Sequence, residues 1–166
     1  NCFFQLRRMR AIRRSVSREA MLTLAHAFIS SRVDFCNSLF LGVSSYLLDR
    51  LQSVMNATAR LILNIPKFGH ISDEIRANLH WLPVRQRISY KVCFLVRNCL
   101  AGAAPEYLSE VCQSTSSTSG RQHLRSALRN DLLVPRVRTA NYGARGFAIS
   151  GPRLWNSLLF ENYMTN

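Results

Sequence analysis

Arg7, Arg10 and Arg14 stand three and four residues apart within a stretch, Arg7 to Arg18, that holds six arginines and no acid. On a helix that spacing lines up the three guanidinium groups along one stripe. A planar fork that donates two parallel hydrogen bonds is well matched to phosphate. Each phosphate neutralised also releases counterions, whatever base is attached, so the stripe is the clearest candidate for holding a nucleic-acid backbone. Arg87 and Lys91, one turn apart on a second expected helix, extend the set. Arg7, Arg10, Arg14, Arg87 and Lys91 are therefore the candidate nucleic-acid-binding residues, weighed against the alternative that a run of charge is only a solvated face.

Catalytic chemistry has little to work with. Two-metal phosphoryl transfer needs carboxylates converging on a pair of cations, and the adjacent acids here are only Asp73 and Glu74, which read as the acidic first turn of a helix. His70, Asp73, Glu74 and His80 lack the spacing of a zinc motif. Cys93 and Cys99, six apart, face different sides of a helix. His26, within an apolar stretch, reads as a core histidine. The sequence has no nucleophile elbow and no phosphate-binding glycine loop, so no catalytic or metal residues are expected and no cofactor is implied.

The elements that must position the arginines come from a chain of 166 residues, 48% hydrophobic, enough to build a core without metals or disulfides. Five scattered cysteines with no CxxC pair are expected to be buried thiols in a reducing compartment. The formal charge is +13, from 22 Lys and Arg against 9 Asp and Glu. Such an excess attracts a polyanion, nucleic acid before acidic membrane. The charge is uneven, with two basic flanks around a nearly neutral middle, and only Lys67 and Lys91 are lysines. No apolar run reaches the roughly 20 residues of a membrane helix, so no membrane partner is expected.

Periodicity predicts a helix over residues 3–14 with Leu6, Met9 and Ile12 as its apolar footing. Ser15 or Ser17 caps the next, which carries Glu19 in its first turn and a seam of Leu22, Ala25, Ile29, Val33 and Cys36. A third, roughly residues 45–64, sets Leu47, Leu48, Leu51, Val54, Met55, Thr58 and Ile62 in one arc, opposite Gln52, Asn56 and Arg60, and Pro66 ends it. Ser72 reads as the cap of a short helix ending near His80. Pro83 opens a long one to about Ala101, with Val84, Ile88, Val92, Leu95 and Cys99 as its seam and Gly102 as its stop. A short helix follows Pro105.

Residues 113–120, QSTSSTSG, resemble a flexible linker. Beyond it lie seven more arginines (Arg121, Arg125, Arg129, Arg136, Arg138, Arg145, Arg153), a strand-like Leu132 to Val134, and an aromatic cluster of Tyr142, Phe147 and Trp155 able to pack or to stack on unpaired bases. Pro135, Gly146, Gly151 and Pro152 are expected to break any long element there. The expected fold class is mainly α: a helical bundle over 1–112, a Ser/Thr-rich linker over 113–120, and a small irregular basic tail over 121–166.

Eight stretches in order, FQLRRMRAIRR (Phe4 to Arg14), AHAFISSRVDFCNSLFL (Ala25 to Leu41), YLLDRLQSVMNATARLIL (Tyr46 to Leu63), KFGHI (Lys67 to Ile71), LHWLPVRQRI (Leu79 to Ile88), APEYL (Ala104 to Leu108), LVPRVR (Leu133 to Arg138) and PRLWNSL (Pro152 to Leu158), are similar to the C-terminal region of reverse transcriptases from LINE-type retrotransposons, which lack long terminal repeats. The resemblance is to the chicken-repeat-like and jockey-like branches and covers nearly the whole chain. It implies the helical thumb that grips the template and primer duplex, with the catalytic aspartates, the Mg they hold and the endonuclease lying upstream. Arg7, Arg10 and Arg14 match the basic helix entering the thumb, and the HWLP turn (His80, Trp81, Leu82, Pro83) matches a structural corner. Gly69 stands where the family usually has an acid, Leu159 where it has a proline, and ENYMTN after Phe160 has no counterpart.

Together these readings lead to an expectation of a detached, non-catalytic piece of an RNA-directed DNA polymerase, its partners an RNA/DNA duplex and an absent palm, and its address nuclear or cytoplasmic. The alternative is a non-functional or domesticated transposon remnant acting at most as a helical interaction module, with an exposed apolar patch near Phe3, Phe4 and Leu6.

Overall fold

The computed structural model describes residues 1–117, 120, 123, 126, 130–137, 139 and 143–164, with side chains up to Leu158. The architecture is mainly helical, as expected. Its elements are α1 (Cys2–Ile12), α2 (Arg18–Ala25), α3 (Ser31–Asp34), α4 (Ser45–Leu63), α5 (Ser72–Leu79), α6 (Val84–Leu100), α7 (Glu106–Ser109) and α8 (Phe147–Met164), with short 3-10 turns between. Among the described residues there is no strand, only an isolated antiparallel bridge between Ser114 and Leu132. The chain divides into two compact units, residues 1–37 with 43–87, and residues 38–42 with 88–166.

In the first unit α1 and α2 both pack on α4. Leu6 and Met9 are the buried footing of α1, while Ile12, expected beside them, is exposed. Each such fully buried side chain contributes roughly 1.5–3 kcal/mol. Ser17, not Ser15, caps α2, its hydroxyl accepting from the Ala20 amide at 3.2 Å. A wide π turn over His26–Ser30 joins α2 to α3. The turn has a reason in the sequence. Met21, Ala25, Ile29 and Val33 are all buried and repeat strictly every four residues, a spacing that drifts by about 40° per step on a helix of 3.6 residues per turn. One π turn absorbs the surplus and keeps the seam inward. The seam departs from the expected one at both ends: Met21 replaces Leu22, which is half-buried, and Cys36 is exposed in a left-handed conformation with φ 49°.

Helix α4 buries Leu48, Val54, Met55, Thr58, Ala59, Leu61 and Ile62, close to its expected arc, but leaves Leu47 at its edge exposed. Asn64, left-handed at φ 57°, closes it, and the Ile65 amide reaches back to the Arg60 carbonyl at 3.0 Å. Ser72 is not the cap expected for α5. Ile71 occupies that place without a side-chain bond, and Ser72 is the first helical residue, with Asp73 and Glu74 in the first turn. His80, left-handed at φ 53°, ends α5 and turns Trp81 into the core at 5% exposure. His26, expected in the core, is instead exposed and meets the Trp81 ring edge-on at 5.6 Å. The π turn places it outside the seam.

The second unit is built on Val96, Cys99, Cys112 and Leu132, with Leu108, Val111, Phe147 and Trp155 packed against them. Val96, rather than Leu95, carries the α6 seam past Val92. Residues 113–117 do not behave as a free linker. The Thr115 amide and hydroxyl both donate to the Asp131 carbonyl, at 2.9 and 2.8 Å, and the Leu133 amide donates to the Gln113 carbonyl at 2.8 Å. Asn156 then holds Leu132 like a strand neighbour, accepting from its amide at 2.8 Å and donating to its carbonyl at 2.9 Å.

Glycine and proline do not break the end of the chain. Helix α8 runs Phe147–Met164 with Pro152 inside it. Proline there forgoes one helical bond, but Ile149, Ser150, Gly151 and Pro152 are all buried. A Cβ at Gly151 would lie 3.1 Å from Val96 and 3.2 Å from Phe147, so the glycine permits close packing that offsets the loss. The expected roles of Thr118, Ser119, Arg121, Arg125, Arg129, Arg138 and Tyr142 lie outside the described residues.

Candidate nucleic-acid interface

The candidate site follows from how α1 meets the C-terminal end of α4. A helix C-terminus presents carbonyl groups without intrahelical donors and a partial negative charge, so cations belong beside it. Arg13, just after α1, supplies one: its Nε donates to the Leu61 carbonyl at 2.9 Å and a terminal nitrogen donates to that of Ile62 at 3.3 Å. Leu6 and Met9 fix α1 in the register that brings Arg13 there.

Beside this cap opens a groove of about 780 Å³ lined by Arg10, Arg13, Arg14, Ala57, Arg60, Leu61, Asn64, Ile65 and Lys67. Five of the nine are cations and none is an acid. Arg13 satisfies the end of α4, leaving the other four cations in excess of what the helix end needs. Arg10, Arg14 and Lys67 are exposed, and none has a carboxylate partner among the described residues. Lys67 lies over the Phe68 ring at 5.4 Å. Arg60 is half-buried and donates a terminal nitrogen to the Gly69 carbonyl at 3.2 Å, while its Nε–H is buried with no acceptor.

The structure brings together two of the five expected contacts, Arg10 and Arg14. Arg7 is exposed one turn earlier on α1 and is not among the groove's lining residues. Lys91 is exposed on the part of α6 that belongs to the second unit. Arg87 requires a correction as a phosphate contact. One terminal nitrogen meets the Asp34 carboxylate at 2.6 Å, its Nε donates to the Leu82 carbonyl at 2.9 Å, its guanidinium lies 5.6 Å from the centre of the Trp81 ring, and its side chain is only 15% exposed. It is a structural clamp on the HWLP corner.

Sequence reasoning missed Arg60 and Lys67. Its spacing puts Arg60 on the polar side of α4, and its position in the last turn, just ahead of the chain reversal at Asn64 and Pro66, is the signal that a cation there sits at the helix end.

Among the described residues no three His, Cys, Asp or Glu side chains gather closely enough to hold a metal ion. Burial pushes the Cys93 thiol up, and the Cys112 thiol is pushed up to about 12 by burial first and by neighbouring Cys99 second. A raised thiol pKa leaves less of the nucleophilic thiolate at neutral pH. Phe147 and Trp155 are partly buried and packed against the second core, the packing role that sequence reasoning also offered. No described helix is long and apolar enough to cross a membrane.

Compared with known proteins, the chain matches no family model, no curated protein and no solved structure.

Proposed function

We propose that the chain is a thumb-like, non-catalytic piece of a LINE-type reverse transcriptase that holds the sugar-phosphate backbone of an RNA/DNA duplex, with Arg10, Arg14, Arg60 and Lys67 as the phosphate contacts and Arg7 as a flanking cation. The observation that carries this reading is the acid-free groove in which those four cations are held without carboxylate partners. Electrostatics of that kind rewards any phosphodiester strand, so the expected binding is independent of base sequence and steeply dependent on salt. The order of the eight family-like stretches favours a template and primer duplex over other polyanions. The Mg-dependent chemistry of the family belongs to a palm outside these residues.

Fluorescence anisotropy of a labelled RNA/DNA duplex, titrated with the full chain at several salt concentrations, tests the proposal. Three or four phosphate contacts give a slope of log K against log salt of roughly −3 to −4. Binding that ignores salt, or none at low salt, contradicts it.

A second reading, a helical interaction module derived from a transposon, has one observation in its favour: Phe3 and Phe4 on α1 are 51% and 50% exposed. Leu6, the third member of the expected patch, is buried at 6%. The apolar surface is therefore smaller than that reading expects, and the groove takes precedence.

A further inference from the structure

Helix α6 carries a second arrangement, on other residues, that the groove does not use. Tyr90 and Phe94 are 63% and 40% exposed, and their rings lie roughly parallel, 23° apart with centroids separated by 6.3 Å. Lys91 and Arg97 stand three residues before and after Phe94, on neighbouring turns of the same surface, and both are exposed. Neither forms an ion pair among the described residues. From Pro83 to Pro105 the sequence contains no acid.

Single exposed aromatics need no explanation. Two rings already stacked on a helix, with one cation beside them at Lys91, another a turn beyond at Arg97, and no carboxylate in that stretch of sequence, form a different object. Every nucleobase has a π face that such rings can extend, and cations on the same helix surface offer charge to the phosphates that link the bases. A protein partner covering this face would need acidic residues to match Lys91 and Arg97. A single-stranded nucleic acid brings the flat apolar surface and the negative charge in one molecule.

We propose that Tyr90 and Phe94 form a stacking platform for unpaired bases, with Lys91 and Arg97 as its phosphate contacts, giving the chain a single-strand site separate from the duplex-binding groove. It shares with the function proposed above only the class of partner and depends on none of the groove residues.

The test uses the full chain and three fluorescein-labelled probes: a 12-nucleotide oligouridine, an abasic phosphodiester of the same length, and a blunt RNA/DNA duplex. The wild type is expected to bind oligouridine roughly fivefold to a hundredfold more tightly than the abasic strand, the range that base stacking on aromatics provides. The double variant Tyr90→Leu/Phe94→Leu, apolar but without π faces, is expected to lose that preference while holding abasic strand and duplex as the wild type does. The exchange Tyr90→Phe/Phe94→Tyr is expected to keep it. Equal affinity of the wild type for oligouridine and abasic strand overturns the proposal, and so does an unchanged preference in the leucine variant. Loss of duplex binding on Arg10→Ala/Arg14→Ala with the oligouridine preference intact supports two separate sites. Absence of duplex binding by the wild type, with that preference present, removes the duplex-holding function and leaves this one standing.

Discussion

Two arginine-rich regions of the first unit differ in one respect, the presence of carboxylates. Around the start of α6, Arg85 lies 3.4 Å from Asp49 and Arg87 lies 2.6 Å from Asp34. In the groove at the end of α4, Arg10, Arg14 and Lys67 have no acid among its lining residues. The same side chain thus serves two ends. Where the fold supplies the anion, arginine ties elements together. Where it supplies none, the favourable partner is an anion from outside. Spacing along a helix cannot separate these cases, because the deciding carboxylate of Asp34 lies far from Arg87 in sequence.

The comparison predicts a graded series of stability losses. The largest belongs to Arg87→Met, which strips Asp34 of its ion pair and Leu82 and Trp81 of their partner. A loss of roughly 2–3 kcal/mol is expected from charged hydrogen bonds of this kind, measured by urea unfolding. A loss below about 0.5 kcal/mol would erase the distinction between clamp and contact.

Arg13→Met comes next, because it uncaps the α4 carbonyls of Leu61 and Ile62 but breaks no ion pair. The expected cost is about 1–2 kcal/mol, the range of helix caps, read in the same unfolding series. An unchanged midpoint would mean that water caps α4 equally well. Arg85→Ala should cost least, under about 0.5 kcal/mol, since the two side chains of that pair are 53% and 69% exposed and solvent screens them. A cost equal to that of Arg87→Met would show that burial does not set the strength of these pairs.

Much of the fold was legible from periodicity. The α4 arc, the opening of α6 at Pro83 and the buried footing of Leu6 and Met9 all follow from apolar residues at helical spacing, a local property. What was not legible depends on long-range packing. The π turn at His26–Ser30 turns His26 outward, and Pro152 is carried inside α8, where Gly151 leaves room for Val96 and for the ring of Phe147 from the helix's own first turn. Thr115 reads as linker until the Asp131 carbonyl, sixteen residues on, is brought to it.

The candidate site divided along the same line. Arg10 and Arg14 were legible because one helix sets their spacing. Arg60 and Lys67 join them only through the packing of α1 on α4, and Arg87 left the set because of a carboxylate that the packing of the first unit delivers.

The most direct test of the central claim, that unpartnered arginines hold phosphate and partnered ones hold the fold, is the salt dependence of RNA/DNA duplex binding by Arg10→Ala/Arg14→Ala set beside that of Arg85→Ala. The account predicts that the groove variant keeps its stability within about 0.5 kcal/mol and loses close to two from the magnitude of the log–log slope, about one per phosphate contact removed, while Arg85→Ala keeps the wild-type slope. Equal slopes for the two variants would contradict it.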